Sequence, residues 1–364
     1  MSKFQKFFQS FEHRGYKFKN RIGLSAMTRC RADPDGTPND LVHQYYIQRA
    51  ESAGILSTEA MGVNSRCNPW GASCTVSTSK SIEQWKPIIQ SVHKLNSYIF
   101  AQIVHGGRTV HPDWANGLQP MAPSPIACKD KCHTPKGNPD HVVPREMTLE
   151  DIRTVQTEFK LSVINAKEAG FDGVEFHGAN GYLIDQFLRS GTNHRTDLYG
   201  GSIANRCRFV LELIDSALDI IPSHKIGIKI SPVGSYQDMH DENPHELVKH
   251  LLTELQKREI LYVVMGQAEP STEGLKIMEN PVKVARQFFK GLIISDGNIP
   301  IEERLRRVES GEADIANFGQ LLWANPDLAD RLKEEGPLNQ PDFKFIYSGG
   351  AHSYTDIPKY KVHA

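Results

Sequence analysis

The chain lacks the features that mark membrane, secreted or nucleic-acid-binding proteins. No apolar run approaches the length of a membrane-spanning helix, and residues 1–8 do not contain the apolar centre of a secretory signal. The 42 basic and 43 acidic residues nearly cancel to a net charge of -1, which argues against a polyanionic partner. We therefore expect a cytoplasmic protein with neither membrane nor nucleic-acid partners.

Cysteine is also scarce, with six residues scattered over 364 positions. Such a distribution favours free thiols in a reducing compartment over a disulfide framework. The only group that approaches a metal motif is Cys128, Cys132, His133 and His141, and its spacing matches no standard zinc site. No metal site is expected.

What the chain does have is a regular alternation of short apolar runs and segments of helical period. Continuous apolar runs are typical of buried parallel strands, and the intervening periods of three and four residues predict covering helices. The eight predicted strands are residues 22–27, 54–59, 98–104, 173–176, 225–230, 261–265, 291–294 and 313–318.

Eight strand–helix units predict an α/β fold, a single (β/α)8 TIM barrel spanning residues 1–364. A doubly wound open sheet is the structural alternative, but the first strand is not followed by a glycine-rich phosphate loop. Residues 105–145, rich in Pro, Gly, Asn and Asp, are too long for a bare connection. They predict a long excursion loop after strand 3.

Active sites of such barrels lie at the carboxyl ends of the strands, and strand 4 ends in the most informative segment, residues 177–182. If the turn is helical, His177 and Asn180 lie three residues apart on one face and can hold a carbonyl or oxyanion together. Tyr182 adds a weak acid that can deliver a proton. Structural roles explain the same spacing equally well, because His and Tyr are often half-buried.

A longer pattern carries a resemblance. The run from His177 to Leu188, His-Gly-Ala-Asn-Gly-Tyr-Leu-Ile-Asp-Gln-Phe-Leu, is followed at 193–202 by Asn-x-Arg-Thr-Asp-x-Tyr-Gly-Gly-Ser. This combination resembles the Old Yellow Enzyme family of flavin-dependent ene-reductases. The similarity covers almost the whole chain, including residues 20–29, 45–50, 319–328 and 354–358.

The resemblance implies FMN bound across the barrel mouth, with NADPH or NADH as the hydride donor and a small activated alkene as the substrate. The residues matching His177 and Asn180 hold the carbonyl oxygen of an α,β-unsaturated carbonyl compound, and the residue matching Tyr182 protonates the α-carbon. The resemblance leaves a homodimer open as the assembly.

It also implies a set of cofactor-binding positions. Thr28 matches the residue that hydrogen-bonds the flavin C4 carbonyl, Gln102 matches a ligand of the flavin ring, and Gly297, Asn298 and Gly319 match the phosphate cradle. The full set of predicted positions is Ala26, Thr28, Ala60, Gln102, Lys229, Gly297, Asn298, Gly319 and Gln320.

Four positions depart from the family pattern. Lys229 and Gln320 stand where arginine is usual, Asp296 stands where a small residue is usual, and Ala26 replaces a proline. Lysine keeps the charge but not the planar fork, and glutamine carries no charge. If Asp296 points towards the phosphate, it repels it.

These departures keep alternatives open beside an NADPH-dependent ene-reductase. One is a barrel that has lost tight FMN binding and acts as a carbonyl-ligand binder or scaffold. Another is a flavin-free barrel enzyme that uses His177 and Tyr182 for proton transfer.

Overall fold

Eight parallel strands close into a barrel in the computed structural model, which describes residues 4–267 and 278–360. The last strand pairs with the first, and the second pairs with the third, so the ring is complete. The predicted (β/α)8 barrel is confirmed. Its strands are β1 (Ile22–Leu24), β2 (Ile55–Ser57), β3 (Tyr98–Val104), β4 (Gly173–Gly178), β5 (Ile226–Ile230), β6 (Tyr262–Gln267), β7 (Leu292–Gly297) and β8 (Ile315–Phe318).

Helices follow the strands on the outside of the barrel, as an α/β barrel requires. These helices are Asp40–Ala50, Ser79–His93, Leu149–Ala169, Ile203–Leu218, Pro244–Lys257, Pro281–Phe288, Ile301–Glu309 and Leu328–Lys333. Shorter helices span Gln5–Phe8, Leu183–Leu188 and Gln320–Ala324.

The strand ends differ from the predicted ones in a way that shapes the mouth. β1 stops at Leu24, three residues before the predicted end, so residues 25–28 leave the sheet and run over the mouth. β7 continues three residues past the predicted end because it stays paired with β6 as far as Gln267 and Gly297. At the mouth, periodicity alone therefore places residues 25–27 in a strand that they leave, and residues 295–297 outside a strand that they extend.

Helix starts follow the sequence signals closely. Thr148 caps its helix in a capping box with Asp151, and Asn243 and Asn280 each stand before a proline in the first turn. At the helix Ser79–His93, the spacing of Ser81 and Gln84 suggests a cap at Ser81, but the structure places the cap three residues earlier. Thr78 is the cap there, and Ser81 is the third helical residue that completes the box.

The amino-terminal end of the barrel is closed by aromatic packing. A hairpin of Phe11–His13 and Tyr16–Phe18 covers this end. Tyr16 and Phe18 pack in one buried cluster with Phe100 and Tyr262 from the barrel interior. Access to the barrel axis is thus confined to the carboxyl end, where the polar side chains lie.

The excursion after β3 has local structure of its own. Met121–Ala122 pairs with Arg145–Glu146, and Arg195 ties the segment down by donating to the carbonyls of Pro123 and Met147. All six cysteines are free, and the described residues contain no group of three or more His, Cys, Asp or Glu able to hold a metal. No helix in the described ranges is long and apolar enough to cross a membrane.

Candidate functional site

A cavity of about 220 Å³ opens at the carboxyl end of the barrel. It brings together seven of the positions predicted from the sequence: Ala26, Thr28, Ala60, Gln102, His177, Asn180 and Tyr182. The other five lining residues carry no motif in the sequence that marks them as site residues: Met27, Trp70, Tyr236, Ile346 and Tyr347. A larger groove of about 900 Å³ shares only Trp70 and Tyr347 with this cavity and contains no predicted site residue, so the smaller cavity is the candidate site.

The segment after β4 reaches the cavity through a left-handed turn and not through the helical turn considered from the sequence. Asn180 and Gly181 have φ values of 57° and 76°, and the helix begins only at Leu183. The backbone N–H of Asn180 donates to Ser231 Oγ at 2.9 Å, and the backbone N–H of Gly181 donates to Asp185 Oδ2 at 2.9 Å. These bonds fix the turn so that His177 and Asn180 line the same cavity.

His177 is held in its neutral form. Burial and the nearby Lys229 ammonium lower the pKa of His177 to about 3. Its Nδ1 atom is buried and finds no hydrogen-bond partner within the described part of the chain. A neutral imidazole with an unused ring nitrogen at a cavity wall is suited to binding a polar ligand atom.

Tyr182 lies beside His177, with ring centroids 5.0 Å apart. The Trp70 indole N–H donates to its hydroxyl oxygen at 3.2 Å, which leaves the hydroxyl hydrogen free to point elsewhere. Burial raises the pKa of Tyr182 above its ordinary value, so the hydroxyl is protonated at neutral pH. Trp70 in turn stacks on Tyr347 with centroids 4.4 Å apart.

Two arginines from the segment after β1 dock the carboxyl-terminal tail that carries Ile346 and Tyr347. Arg29 Nε and Arg31 Nη1 both donate to the Ile346 carbonyl, at 3.0 and 2.9 Å, and Arg31 Nη2 donates to the Phe345 carbonyl at 2.6 Å. One wall of the cavity is therefore built by the tail.

Gln102 is oriented from below by Glu175, a residue that sequence analysis did not identify. Gln102 Nε2 donates to Glu175 Oε1 at 2.6 Å, while Ser57 and Tyr262 donate to Glu175 Oε2 at 3.0 Å. Because its amide nitrogen is engaged below, Gln102 has its amide oxygen available to accept a hydrogen bond from a ligand.

The remaining predicted positions lie outside this cavity. Gly297 is the last residue of β7 and Gly319 directly follows the neighbouring strand β8, with Asn298 and Gln320 next in the chain. Gly297 has a φ of 127°, and a Cβ there would lie 2.3 Å from the Gln267 carbonyl oxygen, so only glycine fits. Lys229 is buried and forms an ion pair at 2.6 Å with Asp296.

Known proteins similar to this chain identify its family. Residues 6–339 match the model of the NADH:flavin oxidoreductase / NADH oxidase family. The chain belongs to this family. Among its relatives, a putative 12-oxophytodienoate reductase 5 of Oryza sativa subsp. japonica is 38% identical, with 93% of this chain and 90% of the relative covered.

Two further relatives agree. A probable flavin mononucleotide-dependent alkene reductase of Leishmania infantum is 36% identical over 94% of each chain. The solved structure of an Old Yellow Enzyme homologue from Zymomonas mobilis superimposes with a TM-score of 0.91 at 31% identity, covering 97% and 99% of the two chains. The protein is thus an FMN-dependent oxidoreductase of the Old Yellow Enzyme family.

The residues at the mouth fit the ring of FMN, a planar group with hydrogen-bonding atoms along one edge. The cavity offers the fixed Gln102 amide, Thr28 and the unpartnered Nδ1 of His177. Lys229 does not line this cavity, and its ammonium is paired with Asp296.

Two buried histidines should make the stability of the protein pH-dependent. Burial lowers the pKa of His105 to about 4, and burial with Lys229 lowers that of His177 to about 3, from an ordinary 6.5. Each is neutral when folded but binds a proton on unfolding below pH 6.5. The contribution of the neutral histidines to the free energy of unfolding is therefore full above pH 6.5. Below pH 6.5, each histidine lowers the free energy of unfolding by about 1.4 kcal/mol per pH unit, until the pH reaches its folded-state pKa.

His105→Gln tests this sign, because glutamine can still accept the Gly107 amide hydrogen bond that His105 Nδ1 accepts at 3.0 Å. The free energy of unfolding is measured by denaturant titration at pH 7 and pH 5. The variant should take up about one proton fewer on unfolding than wild type at pH 5, so its free energy of unfolding should fall less between the two pH values. An unchanged dependence would show that His105 titrates normally.

Proposed function

We propose that the protein is an ene-reductase that uses NADPH or NADH to reduce the C=C bond of small α,β-unsaturated carbonyl compounds. The observation that carries the proposal is the convergence of His177, Asn180 and Tyr182 on one cavity at the barrel mouth. The names of the Oryza and Leishmania relatives, a reductase and an alkene reductase, point in the same direction.

His177 and Asn180 hold the substrate carbonyl oxygen. An imidazole N–H and an amide N–H aimed at one oxygen stabilise the negative charge that develops on it and make the β-carbon electrophilic. The lowered pKa of His177 keeps the ring neutral across the physiological range, so the donor is an imidazole and not an imidazolium.

Tyr182 delivers the proton to the α-carbon. Its raised pKa keeps the proton in place until the substrate becomes basic, and the bond from Trp70 stabilises the phenolate that remains. FMN, when bound, supplies the hydride that goes to the β-carbon. Thr28 and Gln102, with Ala26 and Ala60 beside them in the cavity lining, would hold its ring.

A test by colour distinguishes this proposal from the alternatives. Purified protein should be yellow, lose its colour with NADPH under anaerobic conditions, and regain it when cyclohexenone is added. A colourless protein that gains neither colour nor thermal stability with FMN would contradict the proposal. The two alternatives, a carbonyl-ligand binder and a flavin-free enzyme, would then remain. Bleaching by NADPH without recovery on the enone would contradict the substrate class.

A further inference from the structure

The helix Leu183–Leu188 begins without a side-chain cap from its own N-cap residue. Tyr182 stands at the N-cap position, where Ser, Thr, Asp or Asn usually accepts a backbone N–H, and its side chain accepts none. That side chain lines the cavity instead. The start of this helix, and with it the position of Tyr182, is therefore held by other groups.

Asp185 supplies the missing bond from the third position of the helix. Its Oδ2 accepts the backbone N–H of Gly181 at 2.9 Å, and only 1% of the residue is exposed. This bond is the reciprocal half of a capping box, shifted by one residue towards the preceding turn. Because Gly181 joins Asn180 to Tyr182, the carboxylate fixes the backbone between the two side chains.

The turn at Gly181 is closely packed as well as hydrogen-bonded. Gln186 Nε2 donates to the Gly181 carbonyl at 2.7 Å, so Asp185 and Gln186 bind both polar backbone groups of this residue. A Cβ on Gly181 would lie 2.5 Å from Gln237 Cβ, and the φ of 76° also favours glycine. Small shifts of the turn are therefore transmitted to the residues on either side of it.

The charge of Asp185 changes close to neutral pH. Burial, together with the Asp241 carboxylate from the segment after β5, raises the pKa of Asp185 to about 6. The Arg189 guanidinium at 3.9 Å and the bond from Gly181 favour the ionised form and limit the rise. Asp241 is itself paired with Arg206 at 2.5 Å. Asp185 is therefore largely ionised at pH 7.5 and largely protonated at pH 5.

We propose that Asp185 is the positioning residue of the catalytic turn, and that its carboxylate holds Gly181 so that Asn180 and Tyr182 both reach the substrate. Asp185 is not among the residues that line the cavity, so it acts through these two side chains. An ionised carboxylate accepts a stronger hydrogen bond than a neutral acid, so loss of its charge loosens the turn. This inference rests on the proposed function, which gives Asn180 and Tyr182 their roles.

The first test is the pH dependence of flavin reoxidation by cyclohexenone, measured by anaerobic stopped flow on the FMN-loaded full-length protein. The limiting rate of wild type should fall by about 3- to 10-fold between pH 7.5 and pH 5, the difference between a charged and a neutral acceptor. The inflection should lie near pH 6. It should survive in His177→Gln, because His177 does not change its charge in this range.

A second measurement does not depend on activity. In the ¹H–¹⁵N NMR spectrum of the protein, the backbone amide of Gly181 should shift with pH and report an apparent pKa near 6, because its hydrogen-bond acceptor is the group that titrates. The same resonance should not titrate near pH 6 in Asp185→Asn.

Asp185→Asn keeps the shape and an acceptor oxygen but removes the charge, so it imitates the protonated acid. Its limiting rate should lie about 3- to 10-fold below that of wild type at pH 7.5 and show no inflection near pH 6. Asp327→Asn is the matched control. Asp327 is also buried at the start of a six-residue helix and pairs with an arginine four residues later, Arg331 at 2.8 Å. This variant should keep the wild-type profile.

Contrary results separate the two proposals. A wild-type rate that is unchanged between pH 5 and pH 7.5, a Gly181 amide that does not titrate, or an inflection that remains in Asp185→Asn would overturn the role of Asp185. The two wild-type measurements stand even if the Asn variant does not fold. If cyclohexenone fails to reoxidise the flavin at any pH, the proposed function itself fails, whereas fast reoxidation that is independent of pH removes only this inference.

Discussion

Replacing Tyr182 with phenylalanine should slow enone reduction by about 100- to 10,000-fold, because the substitution removes the proton donor and little else. The two half-reactions separate this effect from a structural one. In anaerobic stopped-flow measurements, flavin reduction by NADPH should keep its wild-type rate, while reoxidation by the enone should become slow.

Trp70→Phe is the control for this prediction. It keeps an aromatic ring to stack on Tyr347 but removes the N–H that donates to the Tyr182 hydroxyl at 3.2 Å. The loss of one such hydrogen bond should slow reoxidation by about 2- to 10-fold. If Tyr182→Phe slowed both half-reactions equally, Tyr182 would not be the proton donor.

Replacing His177 with leucine should lower kcat/KM for the enone by about 100- to 1,000-fold, the usual cost of one donor to a developing oxyanion. Leucine fills much of the space of the ring but donates nothing. His177→Gln restores an N–H and should recover most of the loss, which a purely structural role of the ring would not explain.

The pH profile adds a check on His177. With a pKa of about 3 the ring is neutral from pH 5 to pH 9, and Tyr182, with its raised pKa, stays protonated. The rate of reoxidation by the enone should therefore show no inflection from either group in this range. An inflection near pH 6.5 that disappears in His177→Gln would indicate that the imidazolium takes part.

The barrel was readable from the sequence because each parallel strand is buried on both faces and so appears as a continuous apolar run. The position of the site followed, since the carboxyl ends of all eight strands must meet at one mouth. Seven predicted residues lie around the cavity for this reason.

What the sequence did not reveal are contacts between residues far apart in the chain. Trp70 and Tyr182 are 112 positions apart, Gln102 and Glu175 are 73 apart, and Lys229 and Asp296 are 67 apart. Asp296 was expected to repel a phosphate if it pointed towards one. The structure shows its carboxylate bound by Lys229, Ser25 and the Gly297 amide, which spacing along the chain cannot show.

The left-handed turn at Asn180 is a second feature that could not be predicted from the sequence. A separation of three residues predicts a shared face only if the backbone is helical. Here the bond to Ser231, 51 residues away, selects the other conformation and still brings both side chains to the cavity.

The docking of the tail by Arg29 and Arg31 has a consequence for biosynthesis. The wall that carries Ile346 and Tyr347 is synthesised long after the arginines that receive it, which lie 314 to 317 residues earlier in the chain. The barrel strands are all available by Phe318, so the ring can close before the pocket is finished. In a nascent chain the cavity is therefore complete only once the tail has been synthesised and has folded back across the mouth.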